Sequence, residues 1–311
     1  MKHPFFSIVI PTYNQSNYLE TALTSVFEQK FKNYEVIVVD NYSKDETYKM
    51  IKNFKKKIIY KKIRNNGVIA KSRNLGIKLS KGKWIAFLDS DDYWTVDKLE
   101  KNFQIINSKD CDVVCNSEWI INLERITKKV WCNGPYSKNF YKKMLKFGNR
   151  NSTSASIIKK DFLNKFNINF DERRSFITCE DYDFFLNIAK KGGKFYYTNK
   201  PLGVHIFHKE SASSDKNFHL NSGNAVIKYH VFKVQKFSKQ KQKLWKSIND
   251  IKKIKKAVFN IKKINKNYSY LFEFFKFFLY KPVQTLKVIL FLIYKWLIQS
   301  LIYYVYMFKK I

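Results

Sequence analysis

The segment WIAFLDSDDYW, residues 84–94, decides the fold class because an acidic cluster follows directly after a continuous apolar run. A short apolar run of this kind is typical of a strand that is buried on both faces. In an extended chain residues i and i+2 point to the same side, so Asp89 and Asp91 project together while Asp92 turns away. Such carboxylate oxygens suit Mg²⁺ or Mn²⁺. A solvated acidic turn or a helix N-cap is the alternative interpretation of residues 89–92.

Strand and helix signals alternate through the residues that precede this segment. Apolar runs predict three earlier strands, at residues 6–10, 35–39 and 58–60. Amphipathic patterns predict helices between them, at residues 17–27, 43–54 and 68–79. The pairs Asn17/Glu20 and Ser43/Glu46 predict capping boxes at the starts of the first two helices. The βαβαβαβ order predicts an α/β fold with a mostly parallel sheet flanked by helices.

Three polar residues fall where these strands end, namely Thr12, Asp40 and Asp89. Ligands of open parallel sheets bind beyond the carboxyl ends of the strands. We therefore expect the three side chains to lie in one crevice. Beyond residue 100 the pattern is less regular, with a helix predicted near 97–106, a strand near 111–115 and a helix near 181–191.

A second acidic group, Glu180, Asp181 and Asp183, stands at the start of the last of these helices. Exposed amides and the helix dipole favour an ionised carboxylate there, which suits a general base. Plain helix capping and surface charge is the competing interpretation, since acids are common in first turns.

The composition indicates an ordered and strongly basic chain. Hydrophobic residues make up 45% of the sequence, which excludes a disordered protein of low hydrophobicity. The formal charge of +34 should attract phosphates, whether in nucleic acid, anionic lipid or sugar nucleotides, and does not choose among them. The N-terminus lacks a signal-peptide pattern, and the four cysteines complete no zinc motif, so we expect reduced thiols in the cytoplasm.

Five motifs together resemble glycosyltransferase family 2, in that family's order and at similar spacing. They are residues 6–14 (FSIVIPTYN), 36–45 (VIVVDNYSKD), 71–76 (KSRNLG), 84–94 (WIAFLDSDDYW) and 179–185 (CEDYDFF). The resemblance covers roughly residues 5–220 and implies a GT-A fold, which is Rossmann-like, and inversion at the anomeric carbon. It implies a catalytic domain at residues 1–222, with a nucleotide-sugar-binding half at 1–100 and an acceptor half at 101–222.

The resemblance also implies roles for individual residues. Donor-binding residues would be Thr12, Tyr13, Asp40, Arg73 and Asp89, with Asp40 accepting a hydrogen bond from the base and Arg73 meeting the diphosphate or the base. Asp91 would hold the metal, Mg²⁺ or Mn²⁺. Asp181 would be the general base, with Glu180 or Asp183 as its candidate orienter. His208 stands where family members often place a residue close to the diphosphate; a surface or packing histidine is the alternative.

Two departures from the family pattern limit this transfer of roles. Asn41 stands where family members often have a second acid, so donor recognition can differ there. Residues 117–150 match no family motif and are expected to determine acceptor choice. Trp119, Trp131 and Tyr136 are sugar-stacking candidates within them, with core packing as the alternative.

The C-terminal residues 223–311 predict a basic and apolar helical extension. Residues 228–266 hold 14 Lys and one acid, Asp250. The longest uncharged stretch after them, 296–308, is too short to span a bilayer. Gln284, Lys287, Lys295, Gln299 and Lys309 form a polar stripe on a helical wheel. We therefore expect peripheral binding to anionic lipid at the inner face of the cytoplasmic membrane, with a helical appendage packed on the catalytic domain as the alternative.

The sequence thus predicts a metal-dependent inverting transferase of a hexose or N-acetylhexosamine. We expect a nucleotide sugar as donor, a UDP-sugar in particular, and as acceptor a hydroxyl of a bacterial surface glycan or lipid-linked saccharide, such as lipopolysaccharide or capsule. Transfer to a polyprenyl phosphate is the alternative reaction. A basic nucleic-acid-binding protein is the alternative of another class; because no recognition motif supports it, we expect no nucleic-acid partner.

Overall fold

The computed structural model describes residues 3–54, 58–234, 238–261, 278–279 and 282–308. Within them nine strands form one sheet. The strands are β1 (Phe6–Thr12), β2 (Tyr34–Asp40), β3 (Ile58–Lys62), β4 (Trp84–Phe87), β5 (Tyr93–Trp94), β6 (Val113–Asn122), β7 (Thr127–Trp131), β8 (Ser156–Lys159) and β9 (Phe195–Phe207).

The helices of the described residues lie between and after these strands. They are α1 (Ser16–Phe27), α2 (Thr47–Asn53), α3 (Ile69–Leu79), α4 (Lys98–Ser108), α5 (Phe140–Phe147), α6 (Lys160–Phe166), α7 (Glu180–Lys190), α8 (Lys216–Tyr229), α9 (Ser238–Ile261) and α10 (Pro282–Phe308). A 3₁₀ turn, Arg174–Phe176, precedes α7, and a π-helical turn, His230–Val234, follows α8.

The strand order is β3-β2-β1-β4-β8-β6-β9-β5, with β7 paired to β6. The first four strands of this order run parallel, as the alternation of strands and helices predicts. The next pair, β4 with β8, is antiparallel, whereas β6 and β9 are parallel. The predicted α/β class, a sheet with parallel strands flanked by helices and a helical C-terminal part, is confirmed.

The core lies on both faces of the parallel strands. On one face the apolar side of α1, with Leu19, Leu23 and Val26, is fully buried in a cluster around β1. On the other face the ring of Phe87 lies 5.2 Å from that of Phe170, which stacks on Phe184 of α7 at 4.0 Å. These contacts fix α7 against the end of β4.

The starts of α1 and α2 differ from the predicted capping boxes. Helix α1 begins at Ser16, and Asn17 lies inside it; α2 begins at Thr47. The carboxylate of Asp45 accepts the backbone N–H of Ser16 at 2.9 Å and that of Thr47 at 3.1 Å. The Asp45 side chain therefore caps both helices, and Ser43 caps neither of them.

The chain divides into two compact units. One comprises Met1–Tyr141 and Arg150–Val226, and the other comprises Lys142–Asn149 and Ile227–Ile311. Within the second unit, Ile251 and Ile254 of α9 pack against Val288 of α10. Residues Thr285–Tyr303 of α10 are long and apolar enough to cross a membrane by length and composition.

Candidate functional site

The strand ends bring the predicted nucleoside-binding residues together. Thr12 at the end of β1 pairs in register with Asp40 at the end of β2, and Asn41 donates its backbone N–H to the Thr12 carbonyl at 3.0 Å. On the other side of β1 runs β4, whose continuation carries Asp89. Parallel register therefore places three distant sequence positions along one edge of the sheet, and their sharing of one crevice stays a prediction.

Asp40 is fully buried, and both of its carboxylate oxygens accept hydrogen bonds. Its Oδ1 accepts from the Ser43 backbone N–H at 2.9 Å and hydroxyl at 2.6 Å, and its Oδ2 accepts from the Tyr60 hydroxyl at 2.5 Å. Burial, followed by these contacts with Asp40, raises the pKa of Tyr60. Asp40 thus shapes the loop after β2, and its contact with a base stays a prediction.

Thr12 and Tyr13 differ in exposure at the same edge. Tyr13 is 50% exposed, so its ring is open to a ligand. The buried Thr12 hydroxyl oxygen has no hydrogen-bond partner within the described part of the chain. A buried hydroxyl without a partner costs free energy, which a bound ligand or water would offset.

Arg73 joins the end of β4 to the start of α7. Its Nη2 lies 2.6 Å from Asp89 Oδ1 and its Nη1 lies 2.6 Å from Glu180 Oε1. The arginine is 4% exposed. Burial alone lowers the pKa of Arg73, but the two carboxylates outweigh burial and raise it, so the guanidinium stays charged. Its predicted contact with the donor stays a prediction, because the structure shows this group bound to two acids.

Asp181 follows Glu180 in the first turn of α7 and is only partly exposed. Its Oδ1 accepts the Tyr182 backbone N–H at 2.7 Å. Burial, and then the neighbouring Glu180 charge, raise the pKa of Asp181 to about 7, although Arg73 acts in the opposite direction. A carboxyl with such a pKa can take up a proton near neutral pH.

The two candidate orienters of Asp181 have different surroundings. Glu180 is held by Arg73, and its Oε2 is buried without a hydrogen-bond partner among the residues described. Asp183 is buried, and its Oδ2 accepts the Asn187 side-chain amide at 2.9 Å, one turn further along α7. Glu180 is therefore the candidate that links α7 to the strand ends.

Asp91 and His208 meet although they lie far apart in sequence. His208 Nε2 is 3.1 Å from Asp91 Oδ2, and the ring of Tyr18 stacks on the imidazole at 4.7 Å. Burial, followed by the charges of Asp92 and Asp89, raises the pKa of Asp91 to about 6. The structure thus places the predicted metal residue beside a predicted donor-binding residue.

His205 is a part of the cluster that the sequence analysis missed. Its Nδ1 lies 3.0 Å from Asp92 Oδ1, the same oxygen that accepts the Ile206 backbone N–H at 3.1 Å. The charge of Asp92 raises the pKa of His205 to about 10, so the imidazole is protonated at neutral pH. No local pattern marks this residue; the pairing of β9 with β5, Val204 opposite Tyr93, brings it to Asp92.

A buried lysine and glutamate lie behind Asp92, and they were missed as well. Lys98 Nζ donates to Asn116 Oδ1 at 2.6 Å and to the Ser154 carbonyl at 2.9 Å. Burial lowers the pKa of Lys98 and raises that of Glu118. The Ser154 hydroxyl donates to Asp92 Oδ2 at 2.5 Å and accepts the Asp89 backbone N–H at 3.0 Å. These bonds fix the acidic segment after β4.

The sugar-stacking candidates lie on β6, on β7 and in the loop that follows. Lys128 Nζ lies 4.6 Å from the ring centre of Trp119, and Trp131 is exposed. Tyr136 is exposed and stacks on Phe195 at 5.9 Å. Contact of these rings with an acceptor stays a prediction.

The donor set at Asp91 suits a divalent cation that keeps open positions. A carboxylate and an imidazole, Asp91 and His208, stand 3.1 Å apart. Within the described residues no group of three or more His, Cys, Asp or Glu side chains could hold a metal. Ions such as Mg²⁺ commonly bind through one or two carboxylates, with phosphate oxygens and water as the other ligands. Asp91 offers a carboxylate of the kind that such an ion takes together with phosphate oxygens.

Known proteins are similar to this chain in sequence and in fold. A sequence model of Glycosyl transferase family 2 matches residues 7–164. WfaP of Escherichia coli, a UDP-Glc:alpha-D-GlcNAc-diphosphoundecaprenol beta-1,3-glucosyltransferase, is 32% identical over 224 residues, covering 71% of this chain and 85% of WfaP.

Two solved structures share the fold at lower identity. S. aureus TarS, residues 1–349 in complex with UDP-GlcNAc, aligns with a TM-score of 0.61 at 20% identity, covering 79% of this chain and 72% of that one. The mannosyltransferase PcManGT from Pyrobaculum calidifontis, in complex with GDP-Man and Mn²⁺, aligns with a TM-score of 0.52 at 14% identity, covering 93% and 86%. The fold of this chain is therefore similar to that of GT-A glycosyltransferases, as predicted.

Proposed function

Since the chain belongs to glycosyltransferase family 2, we propose that it transfers a hexose or N-acetylhexosamine from a UDP-sugar to a hydroxyl of a bacterial surface glycan. The donor class is supported by WfaP, whose name specifies UDP-Glc. The surface-glycan acceptor is supported by the same relative, whose acceptor is a sugar carried on diphosphoundecaprenol. We take the transfer to occur with inversion at the anomeric carbon.

The observation that carries the proposal is the bridge from Asp89 through Arg73 to Glu180. Its two contacts of 2.6 Å tie the donor-side strand end to the helix that presents Asp181. A single in-line displacement needs a proton acceptor on one face of the anomeric carbon and a stabilised leaving group on the other. Because Arg73 contacts both Asp89 and Glu180, it holds the donor-side strand end near the helix that carries the proposed proton acceptor, Asp181.

In the proposed reaction Asp181 takes the proton of the acceptor hydroxyl. The acceptor oxygen forms a bond to the anomeric carbon as the bond from that carbon to the diphosphate breaks, and UDP leaves with the electron pair. Thr12, Tyr13 and Asp40 shape the nucleoside site, and Asp89 lies beside the ribose or the donor sugar. Glu180, held by Arg73, sets the orientation of the first turn of α7.

Asp91 and His208 would hold the divalent cation in this proposal, Mg²⁺ or Mn²⁺. A cation there would supply charge neutralisation for the diphosphate leaving group. Without it, the diphosphate would face the carboxylates of Asp89 and Asp91 with Arg73 already bound to two acids. The acidity of the strand ends therefore supports a metal-dependent reaction.

A hydroxyl acceptor is favoured over a polyprenyl phosphate by the surroundings of Asp181. A phosphate acceptor is already ionised and needs no base. The pKa of Asp181, which burial raises to about 7, suits a group that accepts a proton near neutral pH. We further propose that the reaction takes place at the inner face of the cytoplasmic membrane, where a lipid-linked acceptor would be reached.

The test is transfer by the Asp181→Asn and Asp91→Asn variants, with Asp161→Asn as the matched control. Asp161 also lies in the first turn of a helix, α6, and is exposed. We expect transfer to fall about 10²–10⁴-fold for Asp181→Asn, the usual contribution of a general base, and to fall strongly for Asp91→Asn. Asp161→Asn should retain the wild-type rate, and all three variants should be folded, with thermal unfolding close to that of wild type. Near-normal turnover of either site variant would refute the assignment.

A further inference from the structure

The exposed face of α10 is apolar along its whole described length. Val283, Leu286, Leu290, Ile293, Tyr294, Leu297 and Leu301 are each between 46% and 65% exposed. At 100° per residue these seven positions fall within about 100° of the helix circumference. We call them the apolar stripe. A contiguous exposed apolar surface of this kind marks an interaction site.

The opposite side of α10 is the buried one, and it carries polar groups. Thr285, Val288 and Ile302 are buried there, and the side-chain nitrogen of Gln299 is buried without a hydrogen-bond partner within the described residues. Val288 packs against Ile251 and Ile254 of α9. Helix α10 therefore turns Thr285 and the Gln299 amide inward and the apolar stripe outward, the reverse of an amphipathic helix in water.

The positive charge of the neighbouring helix α9 indicates which kind of partner covers the apolar stripe. Helix α9 carries eight lysines and a single acid, Asp250. Lys243, Lys246, Lys253 and Lys256 are exposed. A second copy of this chain would bring a like-charged α9 towards this one, which electrostatics disfavours. An anionic lipid surface offers both an apolar layer for the stripe and negative headgroups for the lysines.

We propose that the second unit binds an anionic bilayer, with α10 lying in the plane of the interface and the apolar stripe in the acyl layer. The stripe covers one side of the helix, and Lys287 and Trp296 are exposed beyond its two edges, so one face can enter the lipid while the other packs on α9. Lys295 also stands in the middle of the sequence 285–303, where a charge is costly for a spanning helix.

Flotation of the full-length protein with lipid vesicles tests the proposal without any turnover, so its outcome is independent of the proposed reaction. Vesicles of phosphatidylcholine alone are compared with vesicles that also contain phosphatidylglycerol. We expect binding to the second kind at low salt and its loss at high salt, since salt screens the lysines. Equal binding to both kinds, or none to either, would overturn the proposal.

Paired variants locate the binding surface. Leu290→Gln with Leu297→Gln keeps helix propensity and should weaken binding at least about tenfold per leucine. The matched control is Leu220→Gln, an exposed leucine of α8, which should bind as the wild type does. Lys253→Gln with Lys256→Gln should weaken binding about fivefold per lysine, whereas Lys129→Gln with Lys138→Gln should not.

Two other outcomes would contradict the arrangement. Retention of the protein in the vesicle pellet after alkaline carbonate extraction would show a spanning helix instead of an interfacial one. A defined dimer in light scattering, lost in the Leu290→Gln, Leu297→Gln variant and accompanied by no vesicle binding, would show that a second copy covers the stripe.

Discussion

Two carboxylates at neighbouring positions of α7, Glu180 and Asp181, have different partners. Glu180 gives one oxygen to Arg73 at 2.6 Å. Asp181 accepts a backbone N–H of its own helix, and burial and the Glu180 charge raise its pKa to about 7. Arg73 thus binds one acid, Glu180, and leaves the next one, Asp181, able to exchange a proton. Glu180 and Asp181 therefore differ because the Arg73 guanidinium contacts only the first of them.

The pH dependence of transfer should report Asp181. Because a general base must be deprotonated, kcat/KM should rise with pH to a plateau, with a midpoint at about pH 7. The measurement is kcat/KM for wild type across about pH 5 to 8, with Asp161→Asn as a control that keeps the midpoint. A profile that is flat over this range would show that no such base limits the rate.

The raised pKa of Asp181 also predicts how the free energy of unfolding changes with pH. The folded pKa of Asp181 lies above the usual value of an aspartate, so its stabilising contribution is complete at low pH and is lost as pH rises through about 7. Asp181→Asn should therefore gain stability over wild type above neutral pH, and the difference should shrink at acidic pH. Thermal unfolding at both pH values measures it.

The acids of the site, and Arg73 and His208 by resemblance, could be named from the sequence, whereas the contacts between acids and cations could not. Asp89, Asp91 and Asp181 follow strand-end and helix-start patterns that are local. The contacts of Arg73 with Glu180, and of His205 with Asp92, join residues more than 100 positions apart. Such pairs depend on sheet register, which a single sequence does not specify.

At the scale of elements, the closeness of α3 to β1 depends on Gly76. A Cβ atom built on Gly76 would lie 2.1 Å from Val9 Cγ1. Gly76→Ala should destabilise the fold by about 1–3 kcal/mol, because overpacking outweighs the gain of about 0.5–1 kcal/mol in helix propensity. Chemical denaturation measures the change.

Two comparisons make the Gly76 prediction specific. Val9→Ala removes the clashing methyl groups, so the double variant should be more stable than the sum of the single changes. Gly223→Ala in α8 is the matched control, since its Cβ would lie 3.6 Å from Cys179 Sγ, an ordinary contact. An additive double variant, or equal losses at both glycines, would contradict the steric explanation.

The elements up to β4 follow from local patterns, and those after it do not. Strand β8, Ser156–Lys159, inserts between β4 and β6 by antiparallel pairing with both. Strand β6 runs to Asn122, well past the predicted end at Cys115, because β9 continues to pair with it to Phe207. The helix starts at α1 and α2 were wrong for a related reason, since their cap, Asp45, lies outside both helices.

At the scale of the whole molecule, charge is unevenly placed. The chain carries a formal charge of +34, yet Asp89, Glu180 and Asp181 lie around one arginine, Arg73. The overall positive charge favours anionic donors and lipids, and in the proposed reaction a cation would offset the local acids beside the diphosphate. The total charge alone predicted neither the acidic site nor the apolar stripe.

The central claim, a single displacement assisted by Asp181, is tested most directly by the anomeric configuration of the product. Proton NMR of the glycan formed from an α-linked UDP-sugar gives this configuration from the coupling constant of the anomeric proton. We predict a β-linked product from wild type and about 10²–10⁴-fold slower formation of product by Asp181→Asn. An α-linked product would show retention and contradict the proposed mechanism.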